Sequence, residues 1–311
     1  MIHKSASDKS RYNTRVSFYN SAREAWSKIL QSKIKNTAPR ALLPSYIGIT
    51  DREGSGIFDP ILETNCTYDF YELNDDLSAN LNSIQTKLNS NSYDFILVVH
   101  YFGFRQINLD SIIAECEEVG TLVVEDCAHF MNFNYIGDSK NCKGDFAFYS
   151  LHKIFPIAKG GCLIVNSELN RHDVDLSNFQ STHEGNEFVS YDIQTIIAKK
   201  RENYLLYENL CQDIDGLTIF KKLDVEDAPH NFPILIEDGL REKLYFWLIE
   251  RNIPLIALYY RLIEPLQKEQ YLSMQLISKS ILNLPVHQDV NLNDIVEIVE
   301  LIKEGLSDLK K

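Results

Sequence analysis

The chain has 311 residues, 44% of them hydrophobic, which is the composition of an ordinary globular protein long enough for two domains. The net charge of −13 is spread without a basic stripe, so we expect no nucleic-acid partner. No signal peptide or membrane-spanning apolar run is present, which predicts a cytoplasmic protein without a membrane partner. Six scattered cysteines without a C-x-x-C pair indicate reduced thiols and no metal site.

The first half of the chain alternates predicted strands and helices after a polar arm at residues 1–13. A helix is predicted at 21–30, because a small hydroxyl residue precedes apolar residues at helical spacing. Further strands are predicted at 41–48, 68–73 and 95–99, and helices at 77–88 and 109–119. This alternation is typical of a wound α/β sheet, whose right-handed crossovers place loop ends together.

Three short apolar runs, predicted as strands, lie in the middle of the chain at residues 122–124, 146–149 and 162–165. Glu125 and Asp126 follow the first run, and residues 150–153 follow the second. In an α/β sheet, ligands bind beyond the carboxyl ends of the strands, so these polar residues are predicted to meet at one site.

An acid and a lysine at neighbouring strand ends indicate pyridoxal 5'-phosphate (PLP). A lysine forms the Schiff base with this cofactor, and a carboxylate keeps the pyridinium nitrogen protonated, so that the ring acts as an electron sink. Asp126 and Lys153 are the candidates. Lys159 competes with Lys153, which we favour because it is nearer the strand end.

The order of these residues resembles the DegT/StrS-type family of PLP-dependent nucleotide-sugar aminotransferases. Residues 124–129, V-E-D-C-A-H, are similar to the family's [IV]-E-D-x-A-[QH], and residues 144–150 to its G-D-x-x-x-F-S. Lys153 precedes Gly160-Gly161 as the family's lysine precedes its own Gly-Gly strand. The resemblance implies an aspartate-aminotransferase-like fold of type I. We expect a three-layer α/β/α large domain with a mainly parallel sheet at residues 1–192, and a small α+β domain at 193–311.

The resemblance also implies the roles of individual residues. Asp126, His129 and Lys153 would be catalytic. The start of the 21–30 helix, a ready anion site, matches the family's phosphate-binding N-S-G-T, with Ala22 and Arg23 replacing Gly and Thr. Asn186 would enter the neighbouring subunit's site, which implies a homodimer. The full set of implied cofactor-binding residues is Asn20, Ser21, Ala22, Arg23, Asp126, His129, Ser150, Lys153 and Asn186.

The sequence departs from the family pattern in three places. Lys153 is three residues after Ser150, where the family has five. Gly48 stands where the family has an aromatic residue that stacks on the cofactor ring, which leaves His129 or Tyr46 to cover the ring. The chain also reaches the phosphate-binding helix several dozen residues earlier than family members do. The sequence is therefore also compatible with a substrate other than a nucleotide-sugar.

The C-terminal part resembles the family's linking helix and small domain. A helix is predicted at 193–211, with Ile193, Ile196, Ile197, Lys200 and Tyr204 on one face. A strand at 232–236 and helices at 241–250 and 292–310 follow, and residues 282–287 resemble the family's L-P-[LV]-[HY] segment. Tyr259 and Tyr260 are interpreted as domain packing in preference to a ligand contact.

Three functions are open. The favoured one is an aminotransferase that moves an amino group from an amino acid, expected to be glutamate, to a keto-sugar, expected to be nucleotide-linked, in polysaccharide or secondary-metabolite biosynthesis. Lys153 would then also act as general base. The second is a PLP-dependent sugar dehydratase, in which His152 replaces the lysine. The third is a non-catalytic relative that serves as a binding or assembly module.

Overall fold

The computed structural model describes residues 15–33, 38–50, 56–131, 143–166, 179–182 and 191–311. Within these ranges the strands are β1 (Arg15–Tyr19), β2 (Arg40–Pro44), β3 (Thr67–Tyr71), β4 (Phe95–Val99), β5 (Leu122–Asp126), β6 (Phe146–Ser150), β7 (Gly161–Val165), β8 (Leu217–Ile219), β9 (Asn231–Ile236) and β10 (Ile281–Pro285). The α-helices are α1 (Ala22–Gln31), α2 (Phe58–Glu63), α3 (Leu81–Ser90), α4 (Leu109–Val119), α5 (Ile193–Leu210), α6 (Arg241–Ile249), α7 (Leu272–Ser280) and α8 (Leu292–Leu309).

Seven strands form one large sheet in the order β1-β7-β6-β5-β4-β2-β3. The five strands from β6 to β3 are parallel, whereas β7 runs antiparallel to both of its neighbours, β6 and β1. Strands β4 to β7 are buried along their whole length, as expected where both faces of a sheet are covered. The predicted α/β fold with a mainly parallel sheet is therefore confirmed, and the carboxyl ends of β4, β5 and β6 lie at one edge.

Side chains of strand β6 pack against helices on both faces of the sheet. Successive side chains of a strand point to opposite faces. Phe148 packs against Trp26 of α1, with ring centroids 5.9 Å apart. Ala147 and Tyr149 belong instead to a second apolar cluster that includes Ile197 of α5. Helices α1 and α5 thus lie on opposite sides of the sheet.

Helix α3 begins four residues after its predicted start at residue 77. Leu77 has a φ of 60° and lies in a turn, where its N–H donates to the Asn74 carbonyl. The helix is capped by Asn80, whose side chain accepts a hydrogen bond from the Ser83 N–H at 3.1 Å. Apolar spacing alone placed the start wrongly, because an asparagine cap is the stronger signal.

Strands β8, β9 and β10 form a second, antiparallel sheet in the order β10-β9-β8. Helix α5 is attached to this part through Asn203, whose Nδ2 donates to the carbonyl oxygens of Val286 and His287 at 3.2 Å. The proposed domain boundary between residues 192 and 193 stays a prediction. None of the helices in the described ranges is long and apolar enough to span a membrane.

A segment of the C-terminal part returns to the large sheet. The N–H of Ile49 donates to the Arg261 carbonyl, and the N–H of Ile263 donates to the Ile47 carbonyl, both at 3.0 Å. Gly48 and Leu262 form an antiparallel bridge between these two bonds. The pairing places Tyr259 beside the chain that leaves β2.

Candidate active site

A cavity of about 340 Å³ lies at the carboxyl ends of β4, β5 and β6. The N-terminus of α1 forms one wall, and the short 3-10 helix that follows β6, Leu151–Lys153, forms another. The predicted site residues that line this cavity are Ser21, Ala22, Arg23, Asp126, His129, Ser150 and Lys153. The structure thus brings together residues that are distant in the sequence, at the sheet edge where the strand pattern places them.

Asp126 is the last residue of β5 and is 5% exposed. Its Oδ1 accepts a hydrogen bond from the Ala128 N–H at 2.8 Å. Burial raises the pKa of the Asp126 carboxyl, whereas the Ala128 hydrogen bond and the charge of Lys153 act in the opposite direction. A buried carboxylate of this kind is stabilised by a cationic group in the cavity.

Lys153 extends into the cavity from the end of its 3-10 helix. Its side chain is accessible from the cavity although protein atoms surround the amine. Desolvation lowers the pKa of the Lys153 amine, and the nearby Asp126 carboxylate limits this effect. More of the neutral, nucleophilic amine is therefore present at neutral pH than for an ordinary lysine.

His129 contacts Lys153 directly, with 2.9 Å between the histidine Nε2 and the lysine Nζ. Burial, followed by the charge of Lys153, lowers the pKa of His129 well below its usual value. A neutral His129 can accept a hydrogen bond at Nε2 from the lysine ammonium, which has only donors. The His129 ring stacks on His230 at 4.6 Å, with 6° between their planes. His129 therefore holds the lysine amine in place.

The N-terminus of α1 provides the anion-binding end of the cavity. Ser21 caps this ten-residue helix by accepting a hydrogen bond from the Glu24 N–H at 3.2 Å. Arg23 lines the cavity and pairs with Asp59 at 2.9 Å. Asn20, predicted as a cofactor ligand, is not among the residues that line the cavity, and its Nδ2 donates to Glu24 at 3.1 Å. Helix N-terminal N–H groups and an arginine together favour a phosphate.

Gly161, the first residue of β7, allows the start of α1 to approach the site. A Cβ atom at this position would lie 2.2 Å from the carbonyl carbon and oxygen of Ser21 and 2.6 Å from the Ala22 nitrogen. Because no side chain fits in this space, the glycine is required for the close helix–strand contact.

We expect Gly161→Ala to push α1 away from β7 and to weaken PLP binding by about 5- to 150-fold, because overpacking costs about 1–3 kcal/mol and would act on the phosphate end of the site. PLP titration followed by absorbance, together with thermal unfolding, measures both effects. Gly239→Ala is the matched control: its φ of 68° strains an alanine, but a Cβ there meets nothing within 4 Å. This control should lower stability alone, and equal loss of PLP affinity in both variants would contradict the role of Gly161.

Glu125 faces away from Lys153. It accepts hydrogen bonds at Oε2 from His100 Nε2 at 2.9 Å and at Oε1 from the backbone N–H groups of Lys143 and Gly144 at 2.8 Å. His100 Nδ1 accepts in turn from the Gln106 N–H at 3.2 Å. These bonds order the loops around β4 and β5, and they leave Asp126 as the carboxylate beside Lys153.

Tyr259 lines the cavity, whereas the sequence favoured domain packing over a ligand contact for this residue. A Cβ atom at Gly48 would lie 3.2 Å from the Cα and Cδ1 atoms of Tyr259. The missing side chain at position 48 therefore leaves room for the tyrosine ring. Tyr259 has a φ of 60°, which is unusual for an aromatic residue, and its carbonyl accepts a hydrogen bond from Ser278. Tyr46, the other aromatic candidate, is fully buried behind Tyr259, with ring centroids 5.2 Å apart.

The remaining predicted residues have different positions. Lys159 is exposed and is not among the residues that line the cavity. His152 lines it, but its Nδ1 lies 3.4 Å from the Gly160 carbonyl, and it is Lys153 that contacts His129. Asn186 lies outside the described residues.

Comparison with known proteins identifies a family. The model of the DegT/DnrJ/EryC1/StrS aminotransferase family matches residues 58–191 and 191–303. The comparison with curated proteins found no match.

Solved structures share the fold at low sequence identity. The aminotransferase TlmJ from Streptoalloteichus hindustanus is 18% identical, with a TM-score of 0.72 over 94% of this chain and 86% of that one. PseC from Helicobacter pylori, an aminotransferase involved in the biosynthesis of pseudoaminic acid, is 18% identical, with a TM-score of 0.71 over 94% and 87%. The sugar aminotransferase CalS13 from Micromonospora echinospora is 17% identical, with a TM-score of 0.67 over 93% and 87%.

The family match covers most of the chain, and the residues around the cavity suit the cofactor that this family uses. We conclude that the chain belongs to the DegT/DnrJ/EryC1/StrS aminotransferase family and is a PLP-dependent aminotransferase.

Proposed function

We propose that the protein transfers an amino group from an amino acid, with glutamate as the donor, to a keto-sugar that is nucleotide-linked, as a step in polysaccharide or secondary-metabolite biosynthesis. The observation that carries this proposal is one cavity that holds Asp126 and Lys153 beside a helix N-terminus. The sugar substrate is further supported by CalS13, which is a sugar aminotransferase, and by PseC, which serves pseudoaminic acid biosynthesis.

The cavity residues fit PLP at both of its charged ends. The carboxylate of Asp126 is buried, so a protonated ring nitrogen would offset its desolvation. At the other end, the N–H groups at the start of α1, Arg23 and Ser150 would hold the phosphate. When bound, PLP supplies an aldehyde that reacts with amines and an electron sink for the substrate carbanion.

The protein's own groups would then orient and move protons. Lys153 would hold the cofactor through its amine until a donor amine replaces it, and the amine freed in this way would act as the base that moves a proton on the bound substrate. His129 positions that amine through the 2.9 Å contact with Nζ. Because Lys153 makes this contact and His152 does not, amino transfer is favoured over the dehydratase reaction.

The test is a pair of half-reactions. PLP-loaded protein is mixed with L-glutamate, and the cofactor spectrum and the release of 2-oxoglutarate are followed. The aminated protein is then offered a panel of nucleotide-linked and free keto-sugars, and mass spectrometry identifies the amino-sugar. Amination of free sugars alone would refute the nucleotide link, and release of a dehydrated sugar would refute amino transfer.

We also propose that Tyr259 covers the cofactor ring, in the place left empty at Gly48. Tyr259→Ala is expected to weaken PLP binding by about three- to tenfold, which is the scale of one aromatic stacking contact. PLP dissociation constants and the circular dichroism of the bound cofactor measure the effect. Adding Gly48→Phe to the Tyr259→Ala variant should restore affinity, because the two side chains compete for the same space.

Tyr260→Ala serves as the control for this pair. Tyr260 is not among the lining residues, and the Arg241 guanidinium lies 5.8 Å from its ring centroid. Its loss should leave PLP affinity unchanged. If Tyr260→Ala and Tyr259→Ala weaken binding equally, or if Gly48→Phe gives no rescue, Tyr259 does not cover the ring.

The active form is proposed to be a homodimer with Asn186 of each chain completing its neighbour's cofactor site. This proposal is supported by the resemblance of the segment that contains Asn186 to the family pattern. Light scattering of the PLP-loaded protein measures the mass, and a monomer with full activity would refute it.

A further inference from the structure

A second cavity, of about 520 Å³, adjoins the cofactor cavity on the side of the small sheet. His129 and Lys153 line both cavities, so the second one opens on the reactive amine. Its other walls come from α5, the start of β9, the end of β10 and residues 254–258. A molecule in this cavity would therefore lie against Lys153, which makes the cavity a candidate substrate site.

Lys200 of α5 is the unusual residue in this cavity. It is only 4% exposed, and its place on the apolar face of α5 follows from helical spacing. Among the residues that the structure describes, none forms a hydrogen bond or an ion pair with the side-chain amine of Lys200. Burial lowers the pKa of the Lys200 amine to about 8. A buried ammonium without an acceptor is costly, so a bound anion would relieve this cost.

Three side chains that line the cavity also have buried atoms with no hydrogen-bond partner within the described ranges. Two of these atoms are His230 Nδ1 and Asn231 Nδ2, and the third, Gln288 Oε1, is an acceptor. Burial, followed by the charge of Lys200, lowers the pKa of His230 well below its usual value, so the ring is neutral and can carry its proton on Nδ1. An ammonium, an amide NH₂ and an imidazole N–H are all donors, and together they suit an acceptor with several oxygen atoms.

We propose that Lys200, His230 and Asn231 bind the carboxylate of a substrate, and that the second cavity positions that substrate against Lys153. The proposal rests on the proposed function, in which the amino donor is an α-amino acid and therefore brings a carboxylate close to the reacting nitrogen. Leu255 and Leu258 give the cavity apolar surface for the carbon chain. A carboxylated sugar would offer the same group, so the donor and the acceptor are the two sources to be distinguished.

The experiment measures binding without turnover. Isothermal titration calorimetry of the PLP-loaded protein uses glutarate, which has the carboxylates of the donor but no amine, and D-glucuronate as the sugar acid. Lys200→Met is expected to weaken binding of at least one of them by at least about tenfold, the scale of a lost charge-assisted hydrogen bond. Lys200→Arg should stay within about threefold of the natural protein, because it restores the cation.

Lys199→Met is the matched control, since Lys199 precedes Lys200 in α5 but pairs with Glu202 on the helix surface at 2.7 Å. It should bind both probes normally. Lys200→Met replaces a buried charge by an apolar side chain of similar size, so thermal unfolding should show a folded protein. The KM for L-glutamate or for a carboxylated keto-sugar should rise with little change in kcat, which a general structural defect would not produce.

The outcomes separate this inference from the proposed function. Loss of glutarate affinity in Lys200→Met assigns the site to the donor, and loss of glucuronate affinity assigns it to the acceptor. Equal affinities for both probes in Lys200→Met, Lys199→Met and the natural protein overturn the inference, even if amino transfer proceeds. Lys200-dependent binding by a protein that fails to transfer amino groups would support the carboxylate site and refute the proposed function.

Discussion

Replacing Lys153 by methionine is expected to lower amino transfer by about 10³-fold or more, at the upper end of what a single acid–base group contributes. The same variant should give no covalent label when PLP is added and the protein is reduced with borohydride. The physical reason is that Lys153 places its amine in the same cavity as Asp126, close enough for the two charges to interact, with His129 Nε2 2.9 Å from the amine. The measurement is peptide mapping of the reduced protein, combined with single-turnover kinetics.

Lys159→Met is the control for this prediction. Lys159 lies in the same loop but is exposed and outside the cavity lining, so this variant should keep both the label and the activity. A label on Lys159 in the natural protein would show that the shortened loop places a different lysine at the cofactor.

The environment of Lys153 also determines how the reaction of its amine with PLP depends on pH. Desolvation lowers the pKa of the amine, so the neutral form persists to a lower pH than in an ordinary lysine. Reaction of the amine with PLP should therefore continue below the pH at which an ordinary solvent-exposed lysine ceases to react.

Asp126→Asn is expected to lower kcat by about 10²- to 10⁴-fold, the range of a single acid–base contribution, while PLP still binds through its phosphate. An asparagine is of nearly the same size but carries no charge, so it cannot keep a ring nitrogen protonated. Carbanion formation then loses its electron sink. Single-turnover rates with L-glutamate and the spectrum of bound PLP measure the effect.

Glu125→Gln tests whether this effect belongs to Asp126 or to any acid at the end of β5. Glu125 bonds to His100 and to two backbone N–H groups, so its loss should cost about 1–3 kcal/mol of stability through weakened buried hydrogen bonds. The folded variant should retain amino transfer within about tenfold of the natural rate. If Asp126→Asn stays within that limit as well, Asp126 does not act on the cofactor.

Burial raises the pKa of the Asp126 carboxyl in the protein without cofactor. As pH falls through this raised pKa, the group takes up a proton and can no longer pair with a cationic ring. PLP affinity should therefore decrease on the acid side at a higher pH than the ordinary pKa of aspartate would give.

Much of the site could be predicted because its residues lie at strand ends and at a helix start, which local sequence patterns indicate. Asp126 and Lys153 follow apolar runs, and parallel strands end at one edge of the sheet, so the two residues meet although a loop separates them. Ser21 was predictable as a cap because it precedes an amphipathic helix. The family pattern added the expected cofactor.

The missed features depend on contacts between distant segments. Tyr259 enters the cavity because Gly48 lacks a side chain and because the backbone at residue 259 is left-handed, and no local pattern indicates either relation. Lys200 was predicted on the apolar face of α5, but the absence of an acceptor for its amine among the described residues becomes evident only when β9 is packed beside the helix. Helical spacing predicts the direction of a side chain but not the residues that the side chain contacts.

The backbone pairing of residues 47–49 with 261–263 has a consequence for how the chain opens. Because an early segment and a late segment share hydrogen bonds beside the cofactor cavity, neither can detach without exposing the other. Local opening at this point should therefore expose both segments to solvent together, with equal hydrogen-exchange protection of the Ile49 and Ile263 amides. Occupation of the cavity would raise the protection of both amides at once, so the two ends of the chain would report cofactor retention as a single cooperative unit.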